Sequence, residues 1–216
     1  MSANLDAVDQ WEPAATALLL VGFQNDFFSA RGALRPSIAD PSALDRTLQA
    51  TMRLVSCLAA TDVTMVASPI CFSERYTELT SAVGILATIR DLEALRSGSP
   101  GSATLEEMGR FGDRIREVEG RHGFDAFFGT DLTDVLLDAG VQRVLLAGAL
   151  TSVCIDSSAR AARERGFQVG IIEDCTVGRT AFEHRFYCEQ IFPLYADVVH
   201  SRELLRLAGP DEGEAS

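Results

Sequence analysis

Short, largely apolar runs recur along this chain, at 17–23, which is continuous, and at 63–67, 144–147, 167–172 and 196–199. Runs of this length are too short for buried helices and read as strands covered on both faces. Stretches of helical periodicity separate them. Pro41 and Ser42 open a helix over 43–60, with apolar residues at 44, 48, 52, 55 and 58. Further helices are predicted over 83–95, over 131–139 with Gly140 as its stop, over 153–165, over 180–192 and from Ser201 onward. Thr104 and Glu107 resemble a capping box for another short helix, and 115–118 is a further strand candidate. Strands alternating with amphipathic helices predict an α/β fold: a three-layer α/β/α arrangement, Rossmann-like, around a mainly parallel sheet of about six strands. Neither a repeat nor a linker breaks the pattern, so 1–216 reads as a single domain, with 1–13 and 209–216 as flexible ends.

In such folds ligands bind beyond the carboxyl ends of the strands. The residues to inspect are therefore 22–26, 68–72, 148–154 and 174–176. The least regular region, 68–112, contains the turn 97–102 and is placed to shape a pocket entrance or an oligomer contact.

Composition narrows the function. The formal net charge of −12 argues against nucleic acid, whose phosphates require a basic surface. No apolar run reaches the ~18 residues of a membrane span, and the polar, acidic start does not read as a secretory signal. Five cysteines (57, 71, 154, 175, 188), an odd number without framework spacing, read as reduced thiols in a cytoplasmic protein. All 19 basic residues are arginine, so no mechanism that needs a lysine side chain can operate here.

One segment carries chemistry. In Val144-Leu145-Leu146-Ala147-Gly148-Ala149-Leu150-Thr151-Ser152-Val153-Cys154-Ile155-Asp156, a strand runs through a small-residue turn into a helix. A cysteine at a helix N-terminus is placed among unpaired N–H groups and the positive end of the dipole, which favours a thiolate. The same N–H groups can hold an oxyanion. Against this stands the ordinary fate of a free cysteine, which is to pack in a core. Cys175 also follows a strand but precedes no helix start, and packing is its reading. Thr151 and Ser152 read as residues that hydrogen-bond the backbone of the turn. The three histidines, 122, 184 and 200, are scattered without ligand spacing.

Three segments resemble the isochorismatase-like cysteine hydrolases. Ala17-Leu18-Leu19-Leu20-Val21-Gly22-Phe23-Gln24-Asn25-Asp26-Phe27-Phe28 is similar to their opening signature, Asp125-Ala126-Phe127-Phe128-Gly129-Thr130-Asp131-Leu132 to their central block, and Gly148 to Cys154 with Ser157-Ser158-Ala159-Arg160 to their nucleophile segment. The resemblance implies a parallel-sheet α/β/α domain, homo-oligomers (dimer or tetramer), and hydrolysis of a small amide, carbamoyl, ester or isochorismate-like substrate without a cofactor. It also implies a cis peptide at Ala149–Leu150, an oxyanion and substrate site formed by Leu150, Thr151, Val153, Gln24 and Phe23, and Cys154 as nucleophile. The family's other two catalytic groups are an aspartate and a lysine. Their positions hold Gly22 and Arg121 here. The metal-binding branch carries an aspartate and histidines after the second strand; 68–73 contains no histidine, so no metal site of that type is implied.

Glycine can neither accept the thiol proton nor return it to a leaving group. A general acid or base contributes roughly 10²–10⁴ in rate. Arginine, a permanent cation, cannot protonate a leaving amine, although it can hold an oxyanion or a carboxylate. Plain amide hydrolysis should therefore be slow. Arg121 equally reads as a solvated surface arginine among Arg116, Glu117 and Glu119. Asp26, Glu74, Glu78 and Asp174 are candidates for a substitute carboxylate, each with a structural role as the competing reading; for Asp26 that role is capping the loop after the first strand. Two functions stay open: a cysteine hydrolase with altered machinery, and a catalytically impaired subunit that binds a small molecule or builds an assembly.

Overall fold

A computed structural model describes residues 11–208. The expected flexible ends lie outside these residues except for 11–13, and there the chain is ordered: Pro13–Ala15 forms a 3-10 turn, and the Thr16 hydroxyl donates to the Glu12 carbonyl at 2.7 Å.

The chain begins with strand β1 (Thr16–Val21), a short helical turn α1 (Asn25–Phe28), helix α2 (Ser42–Leu58) and strand β2 (Thr64–Ser68). Helices α3 (Ile85–Asp91) and α4 (Glu106–Gly109) and strand β3 (Ile115–Glu117) follow. Helix α5 (Leu132–Asp138) leads to β4 (Arg143–Ala149), α6 (Asp156–Glu164), β5 (Gln168–Val177), α7 (Ala181–Phe186), β6 (Asp197–Val199) and α8 (Ser201–Ala208). The strands form a six-stranded sheet in the order β3-β2-β1-β4-β5-β6, with every pairing parallel. This is the α/β/α arrangement expected from the apolar runs.

Period-two alternation divides the strands between two cores. Leu18 and Leu20 of β1, Met65 of β2 and Leu145 of β4 pack with Leu54, Val55 and Leu58 of α2 and Leu204 of α8. Leu19 and Val21 of β1, Val66 of β2 and Leu146 of β4 pack with Leu136 of α5 and with Ala159 and Ala162 of α6. Both faces of β1 are covered, so all six of its residues are buried.

The strand order reverses between β1 and β4, which places a crevice beyond their carboxyl ends. The backbones come very close there. Gly148 has φ +131°, and a Cβ at this position would lie 1.9 Å from the Val21 carbonyl oxygen. Only glycine lets β4 approach the end of β1 in this way.

Four expectations are corrected. The strand expected over 167–172 does not stop there: β5 runs on as far as Val177. β5 shifts register against β4, so that Arg143 faces Gln168 but Gly148 faces Thr176. Helix 83–95 contracts to α3, because Glu93 and Leu95 adopt positive φ (51° and 54°) and turn the chain back. Thr104 is not a cap: it bridges to Gln24, its hydroxyl donates to Glu117, and α4 starts two residues later without a side-chain cap. Helix 180–192 begins as expected, with the Thr180 hydroxyl accepting from the Glu183 N–H, but it becomes a π turn over Tyr187–Ile191.

Gly148→Ala should destabilise the fold by roughly 3 kcal/mol or more, since the new methyl collides with backbone rather than with a movable side chain. Urea unfolding checks this. A loss below ~1 kcal/mol would show that β1 and β4 can separate without cost.

Candidate functional site

Cys154 lies beyond the carboxyl end of β4, at the crevice. It is 6% exposed and belongs to a π turn, Thr151–Ile155, that runs directly into α6. The thiol is therefore three residues inside the helical stretch rather than at its first residue. The Ala149–Leu150 peptide is cis. The Leu150 carbonyl accepts from the N–H groups of Val153 and Ile155, both at 3.1 Å, and not from that of Cys154.

The turn is tied to the start of α7. The Ser152 hydroxyl donates to Glu183 Oε1 at 2.5 Å, and Thr151 Oγ1 lies 2.9 Å from His184 Nδ1. These side chains thus bond to a neighbouring helix and not, as expected, to the backbone of their own turn. Burial holds the His184 imidazole below its ordinary value, partly offset by Glu173 and Glu183.

Cys154 faces a closed cavity of about 10 Å³. Leu150 and Val153 from the turn, Phe27 from α1, and Ile85, Ile89 and Leu95 from the irregular region line it, together with Ile70 and Phe124. Every one of these side chains is apolar. The region 68–112 therefore covers the thiol, with α3 as its main contribution.

Asp26 holds this cover in place. Its Oδ2 accepts from the Leu95 N–H at 2.6 Å, and its Oδ1 from the Ala33 N–H at 3.3 Å. Leu95 has φ +54°, a conformation unfavourable for a residue with a Cβ, and the charged hydrogen bond stabilises it there. Asp26 is thus a structural carboxylate, in keeping with the capping role.

The other candidate carboxylates are also engaged or remote. Glu78 accepts from the Ser73 N–H and hydroxyl. Asp174 accepts from the N–H and hydroxyl of Ser201 at the start of α8 and pairs with His200 at 3.3 Å. Glu74 is exposed. None of them lines the Cys154 cavity. Cys175 lies fully buried in β5, where burial, with Asp174 adding to it, pushes its thiol up to about 12, as a packing residue requires.

Arg121 is not a surface arginine. It is fully buried, and its guanidinium donates to three backbone carbonyls: Ser68 at 3.0 Å, Gly123 at 2.9 Å and Phe124 at 3.1 Å. The Gly22 N–H approaches the same Ser68 carbonyl at 3.4 Å, so positions 22 and 121 meet at the end of β2. The Ser68 hydroxyl is buried there without a partner. Arg121 does not itself line the cavity, but the Phe124 it holds does. Gly22 has φ +71°, and a Cβ on it would lie 3.2 Å from the Ala149 carbonyl.

Of the remaining candidates, Gln24 is fully buried as a clamp. Its amide nitrogen donates to Ile70 and Ser102, and its oxygen accepts from the Ile70 N–H. Phe23 stacks on Phe28 with ring centroids 4.7 Å apart. The structure brings Leu150, Val153 and Cys154 together around one cavity, and leaves Gln24, Phe23 and Thr151 outside its lining. Sequence reasoning missed Phe27, Ile85, Ile89 and Leu95. The helix expected over 83–95 holds two of them, Ile85 and Ile89, but nothing in its sequence marks the thiol they face.

In this parallel α/β sheet, a cysteine sits in the turn beyond the carboxyl end of a central strand. The isochorismatase domain family matches residues 16–203, so the chain belongs to the isochorismatase family. An uncharacterised isochorismatase family protein, YecD of Escherichia coli O157:H7, is 36% identical over 80 residues, covering 37% of this chain and 43% of that protein. The maleamate amidohydrolase of Pseudomonas putida is 36% identical over 81 residues, 38% of each chain. The chain thus matches less than half the length of these two relatives. A cysteine hydrolase from Pseudomonas syringae pv. phaseolicola superposes with a TM-score of 0.76 at 19% identity, over 92% of this chain and 94% of that one. No helix among the described residues is long and apolar enough to cross a membrane.

Replacing Asp26 with Asn removes the charge that holds Leu95 and sets an amide against two N–H donors. A loss of roughly 1.5–3 kcal/mol is expected. Because the cover loosens, Cys154 should alkylate about tenfold faster or more, with Cys71 as the internal control read by peptide mass spectrometry. Unchanged alkylation in a destabilised protein would show that Asp26 does not hold the cover.

Proposed function

We propose that the chain is a thiol-dependent hydrolase of small acyl compounds whose leaving group departs without being protonated. Cys154 Sγ forms a bond to the acyl carbon, and the N–H groups of the Leu150–Cys154 turn receive the oxyanion. The C–O or C–S bond to the leaving group then breaks, and the alkoxide or thiolate leaves with the electron pair. Water cleaves the resulting thioester and returns the thiol, with protons exchanged to solvent.

The observation that carries this reading is the pairing of an apolar cavity at Cys154 with a fully buried guanidinium whose hydrogen bonds go to neutral carbonyls. A buried cation without an anionic partner is costly, and an anion arriving nearby relieves that cost. One of those carbonyls belongs to Phe124, which lines the cavity, so the guanidinium is one residue removed from the cavity wall. No carboxylate lines the cavity to serve as proton donor, which favours activated esters or thioesters over amides. The amidase activity in the name of the Pseudomonas putida relative supports acyl chemistry as the class. Substrate enters when the α3 cover moves, since about 10 Å³ holds no substrate.

A second reading, a binding subunit without turnover, draws on Gly22: at φ +71° its backbone is unfavourable for a side chain, so the site has no proton acceptor at that position. Comparing p-nitrophenyl esters, thioesters and amides of one acyl group separates the two. The hydrolase predicts ester turnover at least ~10²-fold above amide turnover, the scale of one missing general acid, and its loss in Cys154→Ala. No turnover above background, together with ligand-dependent thermal stabilisation that survives Cys154→Ala, would favour the binding subunit.

Assembly into a homo-oligomer is part of the same proposal. Phe182 and Phe186 stack on one another while 70% and 42% exposed, and Leu194 is 78% exposed. An exposed stacked aromatic pair of this kind is typical of covered surfaces. Sedimentation velocity should show a dimer or tetramer of the 23.3 kDa chain; a monomer at micromolar concentration would refute it.

A further inference from the structure

Away from the Cys154 cavity, three potential ligand side chains converge. Glu173 of β5, His184 of α7 and Cys188 of the following π turn place one ligand atom each within 4.8 Å of one another. His184 and Cys188 are four residues apart and so share a helix face. Cys188 Sγ lies 3.8 Å from His184 Nε2. Tetrahedral zinc, with bonds of about 2.3 Å to sulfur and 2.0–2.1 Å to nitrogen, holds such a pair of atoms about 3.6 Å apart. The sulfur is also 4.0 Å from Nδ1, so it sits beside the ring, and the imidazole must turn to aim Nε2 at a shared ion.

We infer that Glu173, His184 and Cys188 form a binding site for one zinc-class divalent cation, separate from the nucleophile.

Three further features fit. First, the donor set of thiolate, imidazole and carboxylate matches a borderline-soft cation rather than magnesium or calcium. Second, the charges balance: one thiolate and one carboxylate neutralise a dication around a neutral imidazole. Cation binding replaces the thiol proton, which passes to solvent as the sulfur–metal bond forms. Third, His184 Nδ1 has a partner in Thr151 Oγ1 at 2.9 Å. A ligating histidine donates its other ring N–H to such a group, which fixes the tautomer and leaves Nε2 for the ion. Three protein ligands leave a fourth position open. Glu173 and His184 also line a cleft of about 560 Å³ between α2 and the end of β5, through which solvent or a small anion could fill that position.

The histidines had no ligand spacing among themselves. The pair that matters is His184 with Cys188, joined by a carboxylate from a different element.

Cobalt(II) titration of the full-length protein tests the site, with Cys57 and Cys71 replaced by serine throughout to remove the thiols that contact solvent. The expected result is a thiolate-to-cobalt charge-transfer band that saturates at one equivalent, and one equivalent of zinc retained after dialysis by elemental analysis. Cys188→Ser should abolish the band, whereas Cys175→Ser should leave it. Glu173→Gln, at an exposed position that tolerates change, should weaken binding about tenfold or more. A wild-type protein without the band, a band that persists in Cys188→Ser, or unchanged affinity in Glu173→Gln each overturns the site. The Glu173 variant decides should Cys188→Ser fail to fold.

Discussion

The close approach of β4 to the end of β1 sets the geometry of everything above the sheet. Gly148 rests against the Val21 carbonyl with no room for a Cβ, and the next residue's carbonyl faces Gly22. Two glycines thus press the cysteine-bearing turn against the end of the first strand. The same contact shapes the chemistry. At φ +71° position 22 is unfavourable for a side chain, so in the proposed site it contributes only backbone. The proposed specificity for self-departing leaving groups follows from this packing and not from the identity of the nucleophile.

Around that contact, charged groups serve the architecture by bonding to the backbone. Asp26 accepts from Leu95 and Ala33, and Arg121 donates to Ser68, Gly123 and Phe124. Loops crowded over a sheet carry many unpaired N–H and C=O groups, and a buried ionised side chain satisfies several of them at once. Asp26 anchors the cover over Cys154, and Arg121 anchors the wall beside it. They differ in what remains. The Asp26 charge is met by donors alone, at the base of a structural loop. The Arg121 charge is met only by neutral carbonyls, one of them that of Ser68, whose own hydroxyl is buried without a partner among the described residues.

Much of the fold was legible because its strands are buried on both faces and therefore written as largely apolar runs. The departures share a cause. Glu173 and Asp174 are polar, yet they extend β5, because one carboxylate turns toward α7 and the other reaches Ser201. Alternation at the end of a strand looks like a loop when the preceding residues are largely apolar. Arg121, flanked by charged neighbours, read equally well as solvated; its burial depends on carbonyls distant in sequence at Ser68, which no local pattern announces. The turn around Cys154 was legible through its small residues and its resemblance to known hydrolases. Its apolar cover was not, since Ile85, Ile89 and Leu95 reach the thiol only because Asp26 bends the chain back at Leu95.

Two cysteines in this chain occupy π turns, Cys154 in 151–155 and Cys188 in 187–191. A π turn inserts a residue into a helix and re-aims the side chains on either side of it. Here the two turns are connected: His184, one helical turn before Cys188, contacts Thr151, while the adjacent Glu183 accepts from Ser152. A change in what His184 binds would therefore be felt first at Thr151, three residues before Cys154. The path is short, two side-chain hydrogen bonds between rigid helical segments, and it ends on the N–H groups proposed to receive the oxyanion. An ion at Glu173, His184 and Cys188 would not need to touch substrate to matter. By fixing the imidazole tautomer it would make Thr151 an acceptor, and so determine where the hydroxyl hydrogen of that turn can point.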